Sequence, residues 1–113
     1  MWRSRYEQIF IDEELERLLS SAVTHRILRI LYKNDGKVLN ISKIAKLIDG
    51  TYSHVVRTMA MLEKTGLIDY EITGRSKLIR LTDKGKRIAE LITQIYRELR
   101  IGVSHESDRV LQK

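Results

Sequence analysis

The sequence has no cysteine and no proline, and aromatic side chains make up only 6% of its 113 residues. Without cysteine the chain forms no disulfide, thiol redox sensor or thiolate metal site, which fits a reducing cytoplasm. The absence of proline suits helices joined by short turns. No apolar run approaches the ~20 residues that span a bilayer, and residues 1–5 are too polar for a secretion signal. We therefore expect a cytoplasmic protein.

Charge is abundant and unevenly distributed along the chain. Lys and Arg number 21 against 15 Asp and Glu, a net charge of +6, and the apolar fraction of 42% is enough for one core. Residues 1–20 carry three basic and five acidic side chains, whereas residues 37–80 carry eight basic and four acidic ones. A basic excess over one segment suits a polyanionic partner, although an ordinary lysine-rich surface would give the same count.

Apolar spacing and capping residues divide the chain into helices and one hairpin. Asn40 and Thr51 are suited to cap the helices that follow them, and Gly66 before apolar Leu67 has the form of a glycine C-cap. Asp12-Glu13-Glu14 favours a helix start. The predicted order is helices over 12–20 and 22–33, a short strand at Val38-Leu39, helices over 41–48 and from Thr51 to Gly66, strands on either side of the turn 73–76, and a helix from Asp83 to about residue 101.

Four segments in this order resemble the MarR/ArsR-like winged helix-turn-helix transcriptional regulators, with the closest likeness to small archaeal members. They are residues 40–48, 51–55, 62–68 and 79–85, and the resemblance covers about residues 20–101. It implies an α+β, mostly α fold, with a two-strand wing and long terminal helices that form a dimer interface. It also implies a transcription factor that binds double-stranded DNA as a homodimer.

On this basis we expect a single domain over residues 1–113. Residues 12–33 would form N-terminal helices, 37–82 the DNA-binding core, 83–101 a dimerisation helix and 102–113 a flexible tail.

The expected DNA contacts lie on the third helix of the core, on the wing and on the flank. Arg57 is the first candidate for a base contact, because a guanidinium group pairs bidentately with guanine in the major groove. Arg75 at the wing tip is placed for the minor groove, where negative potential concentrates. The complete predicted set is Ser42, Lys43, Lys46, Thr51, Tyr52, Ser53, His54, Arg57, Gly74, Arg75, Ser76 and Lys77. Solvated surface or packing against neighbouring elements is the competing interpretation for each of these side chains.

A second apolar set is wider than one small winged-helix core can cover. It belongs to the first and last helices, and a twofold dimer that buried it would hold two recognition helices about 34 Å apart, one turn of DNA. Its residues are Leu15, Leu18, Leu19, Ile88, Leu91, Ile92, Ile95, Tyr96 and Leu99. In the alternative interpretation these helices pack only on each other within one chain.

Other functional classes have weaker support. Ser53 and His54 are adjacent on a helix, so they project in different directions and do not make a nucleophile–base pair; we expect no enzyme activity and no cofactor. His25, His54 and His105 lack helical metal-ligand spacing, so no metal site is expected. A small-molecule effector is possible but not indicated. A non-specific DNA-packing protein and a protein-binding winged-helix module remain as alternatives, although the second tends to lose cations that this chain keeps.

Overall fold

Five helices and one antiparallel hairpin form the part of the chain that the computed structural model describes, residues 12–37 and 39–111. Within it the first helix is separated from the second by a single non-helical residue, Ser21. The elements are α1 (residues 12–20), α2 (Ala22–Lys33), α3 (Ile41–Ile48), α4 (Tyr52–Lys64), β1 (Ile68–Thr73), β2 (Ser76–Leu81) and α5 (Asp83–Leu111).

Two of the predicted capping residues, Asn40 and Gly66, mark element boundaries in the structure. The Asn40 side chain accepts a hydrogen bond of 2.8 Å from the backbone N–H of Lys43 and so caps α3. Gly66 has φ +78°, the left-handed geometry that ends a helix at little steric cost. Thr51 occupies the N-cap position of α4, but its side chain makes no capping hydrogen bond.

Two predicted boundaries differ from the structure. Helix α5 continues to Leu111, so the predicted end near residue 101 was wrong. A glycine such as Gly102 lowers helix stability by about 1 kcal/mol, but it ends a helix only where the backbone turns left-handed.

The second difference concerns the short strand predicted at Val38-Leu39. Val38 lies outside the described residues. Leu39 is outside the strands, yet its carbonyl oxygen accepts the Ile79 N–H at 2.9 Å and extends the hairpin by one backbone bond.

The core lies where α2, α3 and α4 meet beneath the hairpin. Its centre contains side chains with no exposed surface, among them Ile27, Ile44 and Leu62. Burial of each such side chain stabilises the fold by roughly 1.5–3 kcal/mol relative to exposure. The inward face of α4 is formed by Val55, Met59 and Leu62 together with Thr58, and this fixes which residues of α4 point to solvent.

The start of α5 packs directly against the turn that ends α4. The Thr82 N–H donates to the Leu67 carbonyl at 3.1 Å, the Thr82 hydroxyl donates to the Gly66 carbonyl, and the Gly85 N–H donates to the Thr82 hydroxyl at 3.0 Å. A Cβ at position 85 would lie 1.9 Å from the Leu67 carbonyl oxygen. Glycine is therefore required at position 85 by this close backbone approach.

Gly85→Ala is expected to lower the free energy of unfolding by at least ~1–3 kcal/mol, because backbone atoms must move to admit the methyl group. Urea denaturation followed by circular dichroism measures this change. Gly50→Ala is the matched control, since the added Cβ there would meet the Val55 Cγ2 methyl at 3.3 Å rather than a backbone oxygen. A loss for Gly85→Ala no larger than that of the control would contradict the packing argument.

Candidate nucleic-acid interface

One face of α4 is exposed along its whole length. Tyr52, Ser53, His54 and Arg57 all lie at the surface, opposite the inward side chains of the helix. Ser53 and Arg57 are one turn apart on the outermost line, whereas Tyr52 and His54 lie on its two flanks. The four predicted α4 side chains therefore form one solvent-facing set.

Helix α3 is joined to α4 by a tight turn and contributes a second exposed set. Asp49 adopts φ 53°, and this left-handed residue ends α3 directly before Gly50. Ser42, Lys43 and Lys46 are exposed on α3, away from its buried stripe, and Thr51 is exposed at the start of α4. Two helices joined in this way, with the second presenting polar and cationic groups, have the form of a helix-turn-helix.

The hairpin places its tip in solvent. Strand β1 pairs with β2 from Ile68–Leu81 to Thr73–Ser76, and Gly74, with φ +60°, and Arg75 form the turn. Gly74, Arg75, Ser76 and Lys77 are all exposed, as predicted for a wing. Among the described residues no carboxylate pairs with Arg75.

Lys77 is held back on the hairpin rather than extended from it. Its Nζ lies 4.1 Å from the centre of the Tyr70 ring, a cation–π contact. The pKa of the Tyr70 phenol is raised above its ordinary value by partial burial and, second, by the negative charge of Glu63. The phenol is therefore neutral at physiological pH, and the Lys77 Nζ lies over an uncharged ring.

Arg80 is one of the eight basic residues of segment 37–80, but in the structure its guanidinium group is paired with two carboxylates. Its Nε donates to Asp69 at 2.9 Å and its Nη1 donates to Glu71 at 3.3 Å. The hydrogen bond that Arg80 donates to Asp69 is the main reason that the pKa of the guanidinium group is raised. Both carboxylates lie on β1, and Arg80 faces Asp69 directly across the sheet. The free positive charge of the wing is therefore concentrated at its tip.

Lys64 is an exposed cation of the same α4 face that the sequence reasoning did not select. It lies on the same line of the helix as Ser53 and Arg57, so the helical spacing of the exposed positions predicts it. Its Nζ lies 4.0 Å from Glu14 of α1, at the edge of ion-pair distance, and both side chains remain well exposed. Such a surface pair contributes little to stability.

The predicted dimer residues separate into two groups. Leu18 and Ile92 are buried in the chain's own core, and Ile88 and Tyr96 pack against that core. Leu18 and Ile92 are therefore covered by the chain itself, whereas Ile88 and Tyr96 are covered only in part, because α5 packs one side of its apolar stripe on α2. The remaining residues are exposed by 37–60%: Leu15, Leu19, Leu91, Ile95 and Leu99.

Tyr96 has a defined role within the chain. Its hydroxyl is 3.2 Å from the His25 Nδ1, and the Arg29 guanidinium lies 4.1 Å from the centre of its ring. His25 also contacts the Leu19 carbonyl through its other ring nitrogen. Tyr96 therefore links α5 to α2 and to the end of α1.

Two other features are absent from the residues that the structure describes. In that part of the chain no group of three or more His, Cys, Asp or Glu side chains is arranged to hold a metal ion. None of its helices is both long enough and apolar enough to cross a membrane.

Together the helix-turn-helix of α3 and α4, the β-hairpin and the flanking helices define a winged helix protein. A family model described as "Winged helix DNA-binding domain" matches residues 21–85. The chain belongs to this family, and the predicted winged-helix fold is confirmed.

Two sequence relatives and one solved structure illustrate the range of similarity. An uncharacterised protein of Archaeoglobus fulgidus is 32% identical over 85 residues, which cover 74% of this chain and 90% of that protein. The DNA-binding transcriptional repressor TubR of Bacillus thuringiensis subsp. israelensis is 28% identical over 102 residues, which cover 88% and 98%. The Staphylococcus aureus MepR–DNA complex superposes with a TM-score of 0.67 at 21% identity, covering 99% of this chain and 96% of that one, and shows the same fold.

Asn40→Ala is expected to lower the free energy of unfolding by ~1 kcal/mol, because it removes the side-chain cap of α3. Thermal or urea unfolding measures the change. Thr51→Ala is the matched control: Thr51 also occupies an N-cap position, but its side chain makes no capping bond. Equal losses from the two variants would show that the Asn40 hydrogen bond is not what stabilises the start of α3.

Proposed function

We propose that the protein is a sequence-specific transcriptional regulator that binds double-stranded DNA as a homodimer. In this proposal α4 enters the major groove, and the wing lies on the adjacent minor groove and backbone. The observation that carries the proposal is the joint exposure of Ser53 and Arg57 on α4 and of Arg75 at the wing tip. A surface that binds DNA needs cationic groups at two separate points. One contacts the base edges and the other contacts the neighbouring backbone.

Each predicted group has a chemical role on this surface. Arg57 is suited to a guanine edge, while Ser53 and His54, in the first turn of α4, reach base edges or phosphates. Tyr52 stacks on a sugar or bonds a phosphate. Lys43 and Lys46, with the hydroxyls of Ser42 and Thr51, hold the flanking backbone. The relative TubR is a DNA-binding transcriptional repressor, and MepR has the same fold in a complex with DNA. Both support the proposal that this chain binds DNA.

The homodimer rests on the apolar surface that the core leaves uncovered. Leu91, Ile95 and Leu99 are 55–60% exposed and follow one another every four residues along α5, which places them on one stripe. Leu15 and Leu19 add exposed apolar surface on α1. A second copy of the chain is the partner that would cover both surfaces and pair two recognition helices on one DNA site.

Selection of bound sites from a random duplex library at two salt concentrations tests the proposal. A palindromic consensus with half-sites about one turn apart supports a dimeric, sequence-specific regulator. Salt-sensitive retention without a consensus would replace it with a DNA-packing protein. No retention at either salt concentration would favour the protein-binding module.

Arg57→Ala is expected to weaken binding to the selected duplex by ~1–3 kcal/mol and to relax specificity at one base pair of each half-site. Repeating the selection with the variant and measuring its Kd by fluorescence anisotropy gives both quantities. Arg87→Ala removes the same charge from an exposed position of α5 and should retain the consensus. A variant at position 57 with unchanged preference at every base pair would exclude Arg57 from base recognition.

Arg75→Ala and Lys77→Ala should each weaken binding to all duplexes and reduce the slope of log K against log salt by about one unit, because each loses one phosphate contact. Arg80→Ala is the matched control on the same hairpin, since its guanidinium group is already paired with Asp69 and Glu71. Salt titrations of DNA binding measure the slopes. If all three variants reduce the slope equally, the separation of free and paired wing cations is wrong.

Leu91→Glu or Ile95→Glu is expected to convert the dimer into a monomer, because a charge would be buried without a partner at the apolar interface. Analytical ultracentrifugation of the DNA-free protein measures the mass. Gln94→Glu introduces the same charge at an exposed position between them, off the apolar stripe, and should leave the mass unchanged. A sedimentation mass unaltered by either stripe variant would refute the proposed interface.

A further inference from the structure

The exposed face of α4 carries an apolar line that the proposed DNA contacts use only at its first residue. Tyr52, Val56 and Ala60 follow one another every four residues along the helix, and all three are exposed. Side chains at this spacing lie on the same side of a helix. This apolar line runs beside the polar line that begins with Ser53 and Arg57. One half of the exposed face therefore offers hydrogen-bonding groups, and the other half offers hydrocarbon.

Val56 is the residue of this line that the fold does not account for. It is 37% exposed, and it belongs neither to the core nor to the partly buried apolar residues that pack on the core. Met61, on the other flank of α4, is one of those partly buried residues. A β-branched residue is also a poorer helix former than alanine. Neither packing nor helix propensity therefore favours valine at position 56.

The position of Val56 beside Arg57 defines its surroundings on DNA. Exposed apolar side chains are common on protein surfaces, so the location of this one is what matters. Neighbouring Cα atoms are ~3.8 Å apart, close to the ~3.4 Å that separates successive base pairs. If Arg57 contacts a base edge, a step that rests on the proposed function, Val56 lies within about two base pairs of that contact.

The chemistry of the major groove then determines what Val56 can contact. Base edges present hydrogen-bond donors and acceptors there, and thymine alone adds a methyl group, at C5. The valine side chain neither donates nor accepts hydrogen bonds, so covering a polar edge with it would leave that edge without a partner, which is unfavourable. Contact with a thymine methyl group removes apolar surface from water and is favourable. Thymine is therefore the base that matches Val56.

We propose that Val56 contacts the 5-methyl group of a thymine and is a specificity-determining residue of α4. Each half-site then contains a thymine within about two base pairs of the pair that Arg57 contacts. The two neighbouring side chains read different chemistry, since Arg57 recognises hydrogen-bonding groups and Val56 recognises a methyl group.

Deoxyuridine substitution tests the contact, because deoxyuridine differs from thymidine only in lacking the methyl group. Each thymine of the selected half-site is replaced in turn, in both half-sites at once, and Kd is measured by fluorescence anisotropy. We expect one position at which the replacement weakens binding of the natural protein by about fourfold per half-site, the effect of one buried methyl group, and so by roughly 15-fold for the duplex. Val56→Ala should bind the thymine and deoxyuridine duplexes about equally.

Ile72→Ala is the matched control. Ile72 is 77% exposed on the wing, which is proposed to lie on the minor groove and backbone, where no thymine methyl group is present. This variant should keep the preference for thymine over deoxyuridine. Val56→Ala should keep the melting temperature of the natural chain, because Val56 is exposed and alanine is the better helix former. A loss of discrimination in Val56→Ala therefore reflects the methyl contact.

Repeating the selection with the variants separates the two contacts. Val56→Ala should lose the preference for thymine at one position of each half-site but keep the preference at the base pair assigned to Arg57. Arg57→Ala should do the reverse.

The outcomes distinguish this inference from the proposed function. A consensus without thymine, or the absence of a deoxyuridine effect at every position, would overturn the role of Val56 and leave the DNA-binding proposal in place. An equal deoxyuridine effect on Val56→Ala and on the natural protein would also overturn it, and would assign the methyl contact to another residue such as Tyr52. Failure to select any consensus would refute sequence-specific binding and the role of Val56 with it.

Discussion

The close approach of Gly85 to the Leu67 carbonyl determines how the helix-turn-helix, the wing and α5 are joined. The turn after α4 provides backbone acceptors to Thr82, and Lys84 adds a bond of 3.0 Å from its Nζ to the Thr65 carbonyl. The two ends of the hairpin are thereby brought to one point, at the C-terminal end of α4. The position of the wing relative to the exposed face of α4 is therefore fixed. The direction in which α5 extends from the core is fixed as well.

That direction gives the two faces of α5 different roles. Ala89 and Ile92 point into the core, and Tyr96 reaches His25 and Arg29 of α2. Because side chains four residues apart lie on the same helical face, Leu91, Ile95 and Leu99 stay together outside the core. One amphipathic sequence thus supplies both the packing of the winged helix and the apolar surface on which the proposed dimer depends.

Electrostatic pairing decides which cations of the basic segment are available. Arg80 is bound by two carboxylates of β1 and Lys64 approaches Glu14, whereas Lys77 lies over the Tyr70 ring with no carboxylate partner among the described residues. Arg75 and Arg57 are exposed without such pairing among the described residues.

The local sequence by itself determined the helices, the hairpin and the exposed faces, because caps and apolar periods act over a few neighbouring residues. Asn40 and Gly66 fixed boundaries in this way, and the spacing of Val55, Met59 and Leu62 identified the outward residues of α4. The sequence also identified the apolar residues of α1 and α5. Only the tertiary structure separated Leu18 and Ile92, which the chain buries itself, from Leu91 and Ile95, which it leaves exposed. It alone paired Arg80 with Asp69 and Glu71 and joined Tyr96 of α5 to His25 of α2, because these contacts depend on how the elements pack against one another.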